Sequence, residues 1–321
     1  MTRREVVTSA AMECFERSAS RVVLVLACLQ AACASSGVGA AHLELIPGPT
    51  SMRVERDGLL LLEYRRGEAG SKPFVLHLGT PAGLDVLRDA PPGHEHHHGL
   101  MLAIGVDDVD HWGEMYADLP GSQRERSFEP VASQDCGFTQ GIEWIDARDG
   151  ALQLNEQRTL NLVLEDELGA ALLTWRSVLN LPPEVDSARL WGRPYFGLGL
   201  RFREALDGAG PFVHASGEPG RVVRGEERLT RSTWCAYSGE IDGRPVTVAG
   251  FDDPRNPRHP ATWFSMAVPF AYMTATLDLA AEPLVLRAGQ ELELRYGVAL
   301  WDGHVQRETI EELYRRWTAR E

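Results

Sequence analysis

The chain predicts an all-β fold, a large β-sandwich closed by one C-terminal helix. Three observations carry this expectation. Apolar residues recur at every second position in several segments, Gly, Pro, Asp and Asn clusters separate those segments, and a helical period occurs clearly once, near the end. Short strands at residues 59–64, 74–78, 159–164, 171–180 and 245–251 follow from this punctuation. Residues 195–203 form the clearest strand. Phe196, Leu198, Leu200 and Phe202 fall on one face, with Tyr195, Gly197, Gly199, Arg201 and Arg203 on the other. Near the C-terminus Leu292, Leu294, Tyr296, Val298 and Leu300 alternate with Glu291, Glu293 and Arg295, behind an Ala288-Gly289 turn. The helix follows. Thr309, Ile310, Glu311 and Glu312 have capping-box spacing, and Ile310, Leu313, Tyr314 and Trp317 then form an apolar stripe that packs on the sheet. Many short strands in one chain imply a sandwich or barrel.

Composition narrows the function classes. The 321 residues are 44% hydrophobic and 24% charged, ordinary globular values with enough apolar material for a sizeable core. Acidic residues outnumber basic ones, 46 to 32, and a net charge of -14 offers no footprint for nucleic acid. The longest apolar run, residues 22–34, is shorter than the roughly 18 residues a membrane span needs and contains Gln30. It lies behind Arg3, Arg4, Arg17 and Arg21 and ends in small residues, the layout of a secretory leader over residues 1–33, with Met12 an alternative start. Cys28 and Cys33 each close a stretch similar to a lipobox. The expectation is therefore an exported protein, periplasmic or held to the bacterial envelope by a lipid on Cys28 or Cys33. Past the leader no low-complexity stretch, charge block or fixed repeat marks a linker, so residues 42–321 read as one domain. Cys136 and Cys235 are the cysteines of its body, enough for one disulfide and too few for a framework. No nucleophile elbow, P-loop or dinucleotide fingerprint is present, so nucleotide cofactors are not indicated.

Residues 91–100 read Pro-Pro-Gly-His-Glu-His-His-His-Gly-Leu and place four of the ten histidines in five positions. In extended backbone His94, His96 and His98 project to one side and His97 to the other, with same-side neighbours about 6.5 Å apart. Three readings fit this pattern. His94 and His96 can give two ligands to a divalent metal, a third coming from elsewhere. Without a metal, one His can serve as general acid or base, or the group can bind a sugar. The bland reading is a solvated loop whose rings meet water and backbone.

A second cluster, residues 252–260, reads Asp-Asp-Pro-Arg-Asn-Pro-Arg-His-Pro and precedes Trp263 and Phe264. Its prolines fix φ and restrict the residues before them. The loop can thus present Asp252, Asn256 and Arg258 to a polar ligand, or let them satisfy one another in a tight turn. Among eight tryptophans, Trp112 and Trp263 adjoin the two clusters and can stack on a pyranose, burial in the core being the alternative. The carboxylates nearest the clusters, as a glycosidase pair would require, are Glu95, Asp110, Glu114 and Asp252.

With both clusters in view, the chain resembles a family of bacterial proteins labelled methane oxygenase PmoA, over roughly residues 50–318. That family's Asp-His-Pro-His-His-Arg-Gly-Leu pattern is similar to residues 93–100, with its three histidines at His94, His96 and His97. Residues 109–114 resemble its Gly-Val-Asp-Phe-Trp motif, and the proline loop keeps Asp252, Pro254, Asn256, Pro257 and Arg258 of its Asp-His-Pro-Ser-Asn-Pro-Arg segment. Two departures stand out: His98 replaces the family Arg, and Asp253 a family His. The family label does not fit methane oxidation here, because a membrane oxygenase subunit is built from spanning helices. The resemblance implies instead an exported β-sandwich similar to galactose-mutarotase-like carbohydrate folds, a link by fold analogy. The combined expectation is a carbohydrate-active protein whose site joins the histidine segment to the proline loop. His94, His96, His97 and Asp252 would do acid/base chemistry of epimerase, lyase or hydrolase type on a sugar or oxidised sugar. Trp112, Arg201, Asn256, Arg258 and Trp263 would hold that carbohydrate or small polar ligand, with a divalent metal on His94 and His96 as a variant. The competing classes are a non-catalytic glycan-binding surface lipoprotein and a periplasmic metal-binding protein.

Overall fold

Alternating apolar residues bury one face of each strand, and two long antiparallel sheets laid face to face satisfy most of them. The computed structural model describes residues 31–33, 43–67, 72–131 and 136–320. One sheet has eleven strands, in the spatial order Ala31–Cys33, Leu43–Pro47, Ser51–Arg56, Leu59–Arg65, Phe74–Leu78, Leu100–Ala103, Gly197–Arg201, Tyr272–Thr276, Thr262–Met266, Arg228–Arg231 and Arg221–Val222. The second has eight, in the order Val213–His214, Trp234–Ile241, Arg244–Asp252, Glu291–Asp302, Ala170–Asn180, Leu152–Glu165, Cys136–Asp146 and Gly121–Pro130. A small third sheet of Leu284–Arg287, Ser187–Trp191, Gly105–Val106 and Val109–Asp110 stands beside them. The main core lies between the two large sheets, where Leu198, Leu200 and Met273 of one share a cluster with Leu173, Trp175 and Leu294 of the other.

The helix Arg307–Thr318 covers the outer face of the eight-stranded sheet. Ile310, Leu313, Tyr314 and Trp317 pack against Leu172, Trp234, Phe251 and Trp301. Its stripe is as expected, but its start is not. Gln306 is the N-cap residue and makes no side-chain cap, so Thr309 sits inside the first turn and the capping box does not form. Arg307 instead ties the first turn to the carbonyls of His214 and Ala215.

The expected strands are present, several of them longer than read: residues 159–164 belong to Leu152–Glu165, and 245–251 to Arg244–Asp252. The strand expected at 195–203 differs in burial. Gly197–Arg201 is buried at every position, because Tyr272 and Thr274 close over Gly199 and Phe270 covers Arg201 on its second face. Most of the expected leader, Cys28 included, lies outside the described residues; the backbone of Ala31–Cys33 pairs with Leu43–Pro47. Among the described residues no helix is long and apolar enough to cross a membrane.

Candidate functional site

The central strands of the eleven-stranded sheet carry two apolar faces, and the outer one builds the site. Leu100, Leu102, Leu198, Leu200, Met273 and Ala275 enter the sandwich core, while Met101, Ala103, Phe264, Met266 and Tyr272 point outward and join Phe74, Trp112 and Phe196 in a separate layer. Gly199 is needed there: a Cβ at this position would overlap the Tyr272 hydroxyl.

The histidine segment folds over this layer as turns, not as a strand. The His94 amide donates to the Pro91 carbonyl at 2.8 Å, the His97 amide to that of His94 at 2.9 Å, and the Ala90 amide to that of His97 at 2.9 Å. Gly93, at φ +79°, supplies the left-handed residue such turns need. The turns overturn the parity expected from an extended chain. His94, His96 and His97 line one hollow of about 290 Å³ together with Trp112, Tyr195, Phe264, Phe270 and Tyr272, while His98 faces away from it. The His96 and His97 rings meet edge to face at 4.6 Å between centroids, and Trp112 lies 5.0 Å and 4.9 Å from them. Asp110 fixes Trp112 in place by accepting from the amides of Trp112 and Gly113 at 2.8 and 2.9 Å.

Behind the hollow lies a buried ion network. Glu114 Oε1 accepts from Lys72 Nζ at 2.8 Å and from the Lys72 amide at 2.9 Å, and its Oε2 lies 3.3 Å from His98 Nε2. The other ring nitrogen of His98 meets Asp89 at 2.6 Å, and the ring stacks on Phe74. Burial works against charge on His98, but its bonds to Asp89 and Glu114 outweigh that and raise its pKa. Burial likewise opposes the Glu114 carboxylate, yet His98 and Lys72 hold it at about 2.

The histidines that face the hollow are shifted the other way. Burial, with Lys72 and His94 nearby, pushes His96 down to about 4, and burial with His96 and His94 pushes His97 to about 2. Burial and the Arg201 charge lower His94. These rings are neutral at pH 7, each offering one donor and one acceptor. Two polar atoms around the hollow have no hydrogen-bond partner within the chain, Nδ1 of His96 and Nδ1 of His97, while the Tyr272 hydroxyl is held by Trp112 and Thr274. Buried polar groups are normally satisfied, so these two ring nitrogens stand out among the residues around the hollow. Arg201 is buried beside them, its Cζ 3.6 Å from the centroid of the Phe270 ring, with Nε and Nη1 unpartnered.

The proline loop stands elsewhere, which corrects the expected joint site. Neither Asp252, Asn256 nor Arg258 lines the hollow. Asp252 accepts from Asn256 Nδ2 at 2.8 Å and the Ala261 amide at 2.7 Å, and it meets His259 Nδ1 at 2.7 Å. Asn256 also exchanges two bonds with the Arg295 backbone, and Arg258 donates to the carbonyls of Leu277 and Glu282. The loop thus satisfies itself and staples the edge of one sheet to the other. Trp263 is a core residue, 1% exposed, donating to the Ser232 carbonyl at 2.8 Å. Replacing Asp252 with Ala should lower stability by about 3 kcal/mol, because it strands buried donors. Ligand affinity of the hollow should stay within about twofold. Urea unfolding beside a binding titration checks both.

The metal variant does not fit the residues present. His94 and His96 have ring centroids 6.3 Å apart, and among the described residues no three His, Cys, Asp or Glu side chains converge to hold an ion. Of the expected site residues, His94, His96, His97 and Trp112 meet in one hollow and Arg201 lies against its wall. Tyr195, Phe264, Phe270 and Tyr272, with Lys72 and Asp89 behind, were not anticipated. Phe264 and Tyr272 lie on strands buried on both faces, so alternation there carries no mark of a site, and Tyr195, Phe270, Lys72 and Asp89 lie outside the strands, where no period applies.

The fold and the hollow define a β-sandwich protein with an aromatic- and histidine-lined hollow on the outer face of its larger sheet. The chain belongs to the family of unknown function DUF6807, whose model matches residues 51–315. No match was found among the curated proteins. Among solved structures it is similar to the GH36 α-galactosidase AgaA from Geobacillus stearothermophilus in complex with raffinose, at TM-score 0.45 and 10% identity, covering 81% of this chain and 40% of that one. It is also similar to AgaB of the same organism, at TM-score 0.41 and 10% identity over 83% and 39% of the two chains. The Slr1438 protein of Synechocystis sp. PCC 6803 matches at TM-score 0.35 and 11% identity, over 82% and 92%. The chain spans about two fifths of the length of the galactosidases it matches.

Proposed function

We propose that the hollow binds a sugar or oxidised sugar and that a neutral imidazole moves a proton on it. The observation that carries this reading is the meeting of three neutral imidazoles, His94, His96 and His97, with an aromatic wall of Trp112, Tyr195, Phe264, Phe270 and Tyr272 around one hollow. Aromatic faces suit the C–H faces of a pyranose, and neutral donor–acceptor rings suit hydroxyl groups. A volume of about 290 Å³ matches a small ligand, at the lower end of pockets for bound molecules. The sequence resemblance to the PmoA-labelled family supports the same reading.

The chemistry follows from the protonation states. With a pKa of about 4, His96 enters the reaction unprotonated and so begins as a base. Burial pushes the Tyr272 hydroxyl up to about 12, so it stays a hydrogen-bond donor. A base beside a neutral donor suits proton removal from the carbon next to a carbonyl, the donor steadying the oxygen. A two-carboxylate glycosidase mechanism is less well served, since the one carboxylate lining the hollow, Glu227, is paired with Arg224 at 2.6 Å. The low basicity of His96 and His97 favours a second reading, capture of glycans without turnover.

Glycans and 3-keto-glycans, incubated with the wild-type protein and with His96→Ala, separate the two. Turnover that falls about 100-fold or more in the variant, with binding largely kept, supports the base. Its kcat/KM should decline only as pH falls through about 4, where the ring protonates. Binding without product in either protein leaves the capture reading, and no saccharide binding at all rejects both.

A further inference from the structure

One turn beside the hollow is built at a cost that its own packing does not return. Eight large hydrophobic residues are exposed among the described residues, and three of them, Met115 at 77%, Tyr116 at 56% and Leu119 at 36%, fall within five positions. The turn that carries them, Glu114–Tyr116, opens with Glu114 at φ +50°, a left-handed backbone that a non-glycine residue adopts only when its surroundings enforce it. What enforces it is the buried carboxylate of Glu114, tied to Lys72 and His98. The exposed apolar tip is therefore mounted on a fixed post. The same post serves the hollow, since Lys72 Nζ also donates to the His96 carbonyl at 3.3 Å. Tyr116 continues directly from the pocket lining, its ring centroid 5.5 Å from that of His96.

We infer that Met115 and Tyr116 form a second sugar-stacking subsite, so that the ligand is an oligosaccharide or glycoside whose terminal unit fills the hollow and whose next unit lies on this turn. The inference rests on the carbohydrate reading and gives it a substrate class. The hollow is small enough for one ring, so a longer ligand must cross its rim. At the His96 side of that rim it meets the Tyr116 ring, already resting against His96, with the exposed Met115 beside it. A rigid platform loses little conformational freedom on binding, which is the condition for a weak stacking contact to register as affinity.

The test uses the full chain and paired probes sharing a terminal unit: glucose with cellobiose and maltose, galactose with melibiose, and the 3-keto form of each, by titration calorimetry. Tyr116→Ala and Met115→Ser are exposed changes, and thermal unfolding confirms their folds. A disaccharide should bind at least about tenfold more tightly than its terminal monosaccharide. Tyr116→Ala should remove most of that advantage while leaving the monosaccharide within about twofold. Equal affinities for both lengths, or an equal loss for both in the variant, overturn the platform and leave the sugar hollow standing. Self-association of the wild-type chain that disappears in Tyr116→Ala, read by analytical ultracentrifugation, also overturns it and makes the turn a contact between copies. Failure of every saccharide to bind wild type overturns the carbohydrate reading and the platform together.

Discussion

Replacing Glu114 with Gln should destabilise the protein by about 3–5 kcal/mol and collapse the hollow, although position 114 lies behind its lining. Lys72 is 1% exposed and Glu114 6%, so removing the carboxylate's charge leaves a buried ammonium with no counter-ion, the costliest way to break such a pair. His98 loses one of its two carboxylate partners at the same time. The double variant Lys72→Met with Glu114→Gln should recover much of the loss, since a neutral pair of similar volume removes the stranded charge. The wild-type pH profile carries the same signature. The folded pKa of Glu114, about 2, lies below its ordinary 4.5, so its contribution is present above pH 4.5 and is lost as pH falls toward 2. The size of that shift corresponds to about 3 kcal/mol. His98 has the opposite sign: its raised pKa gives stability that is present below 6.5 and fades as pH rises through the folded value. Urea midpoints collected from pH 2.5 to 8 should therefore show an acid loss that Glu114→Gln reduces, the remainder coming from other depressed carboxylates such as Asp253. An unchanged acid limb in that variant would remove the network from the account.

Trp112→Ala should cost about 3–5 kcal/mol and eliminate measurable ligand binding. The indole is 4% exposed, stacks on Phe196 at 5.3 Å with planes 11° apart, and meets Tyr195, His96 and His97 edge to face. Its loss opens a void beside an existing hollow, and no neighbouring side chain is free to fill it. Trp112→Phe separates packing from recognition. The ring stack survives in part, so stability should fall by only about 1–2 kcal/mol. Indole Nε1 meets the Tyr272 hydroxyl, so its removal costs the empty protein that one contact. A larger proportional loss in affinity than in stability would mark Nε1 as a donor to the ligand. Equal losses would make Trp112 a packing residue alone. Chemical unfolding and titration on the same preparations decide between these outcomes.

Local pattern made the frame legible. Residues 74–78 form the strand Phe74–Leu78, residues 291–300 lie within Glu291–Asp302, and the stripe Ile310, Leu313, Tyr314 and Trp317 is the buried face of the helix. Of the residues singled out in the sequence, His94, His96, His97 and Trp112 come together in one hollow. The errors share one cause. Asp252, Asn256, Arg258 and Trp263 looked available because their residue types suit ligands, whereas the fold spends each of them on a partner within the chain. Thr309 had the spacing of a cap, but Arg307 could anchor the helix a turn earlier.

Sequence alone determined that this is an all-β chain with one closing helix, and that imidazoles are dense at one segment, because strand and helix periods and residue type are local properties. Only the tertiary structure decided which imidazoles work together. Two tight turns send His94, His96 and His97 into the hollow and His98 back to Asp89 and Glu114, and a lysine 42 positions before that glutamate closes the network behind them. Burial and charge at those points come from residues far apart in the chain, and no local pattern encodes a distance between them.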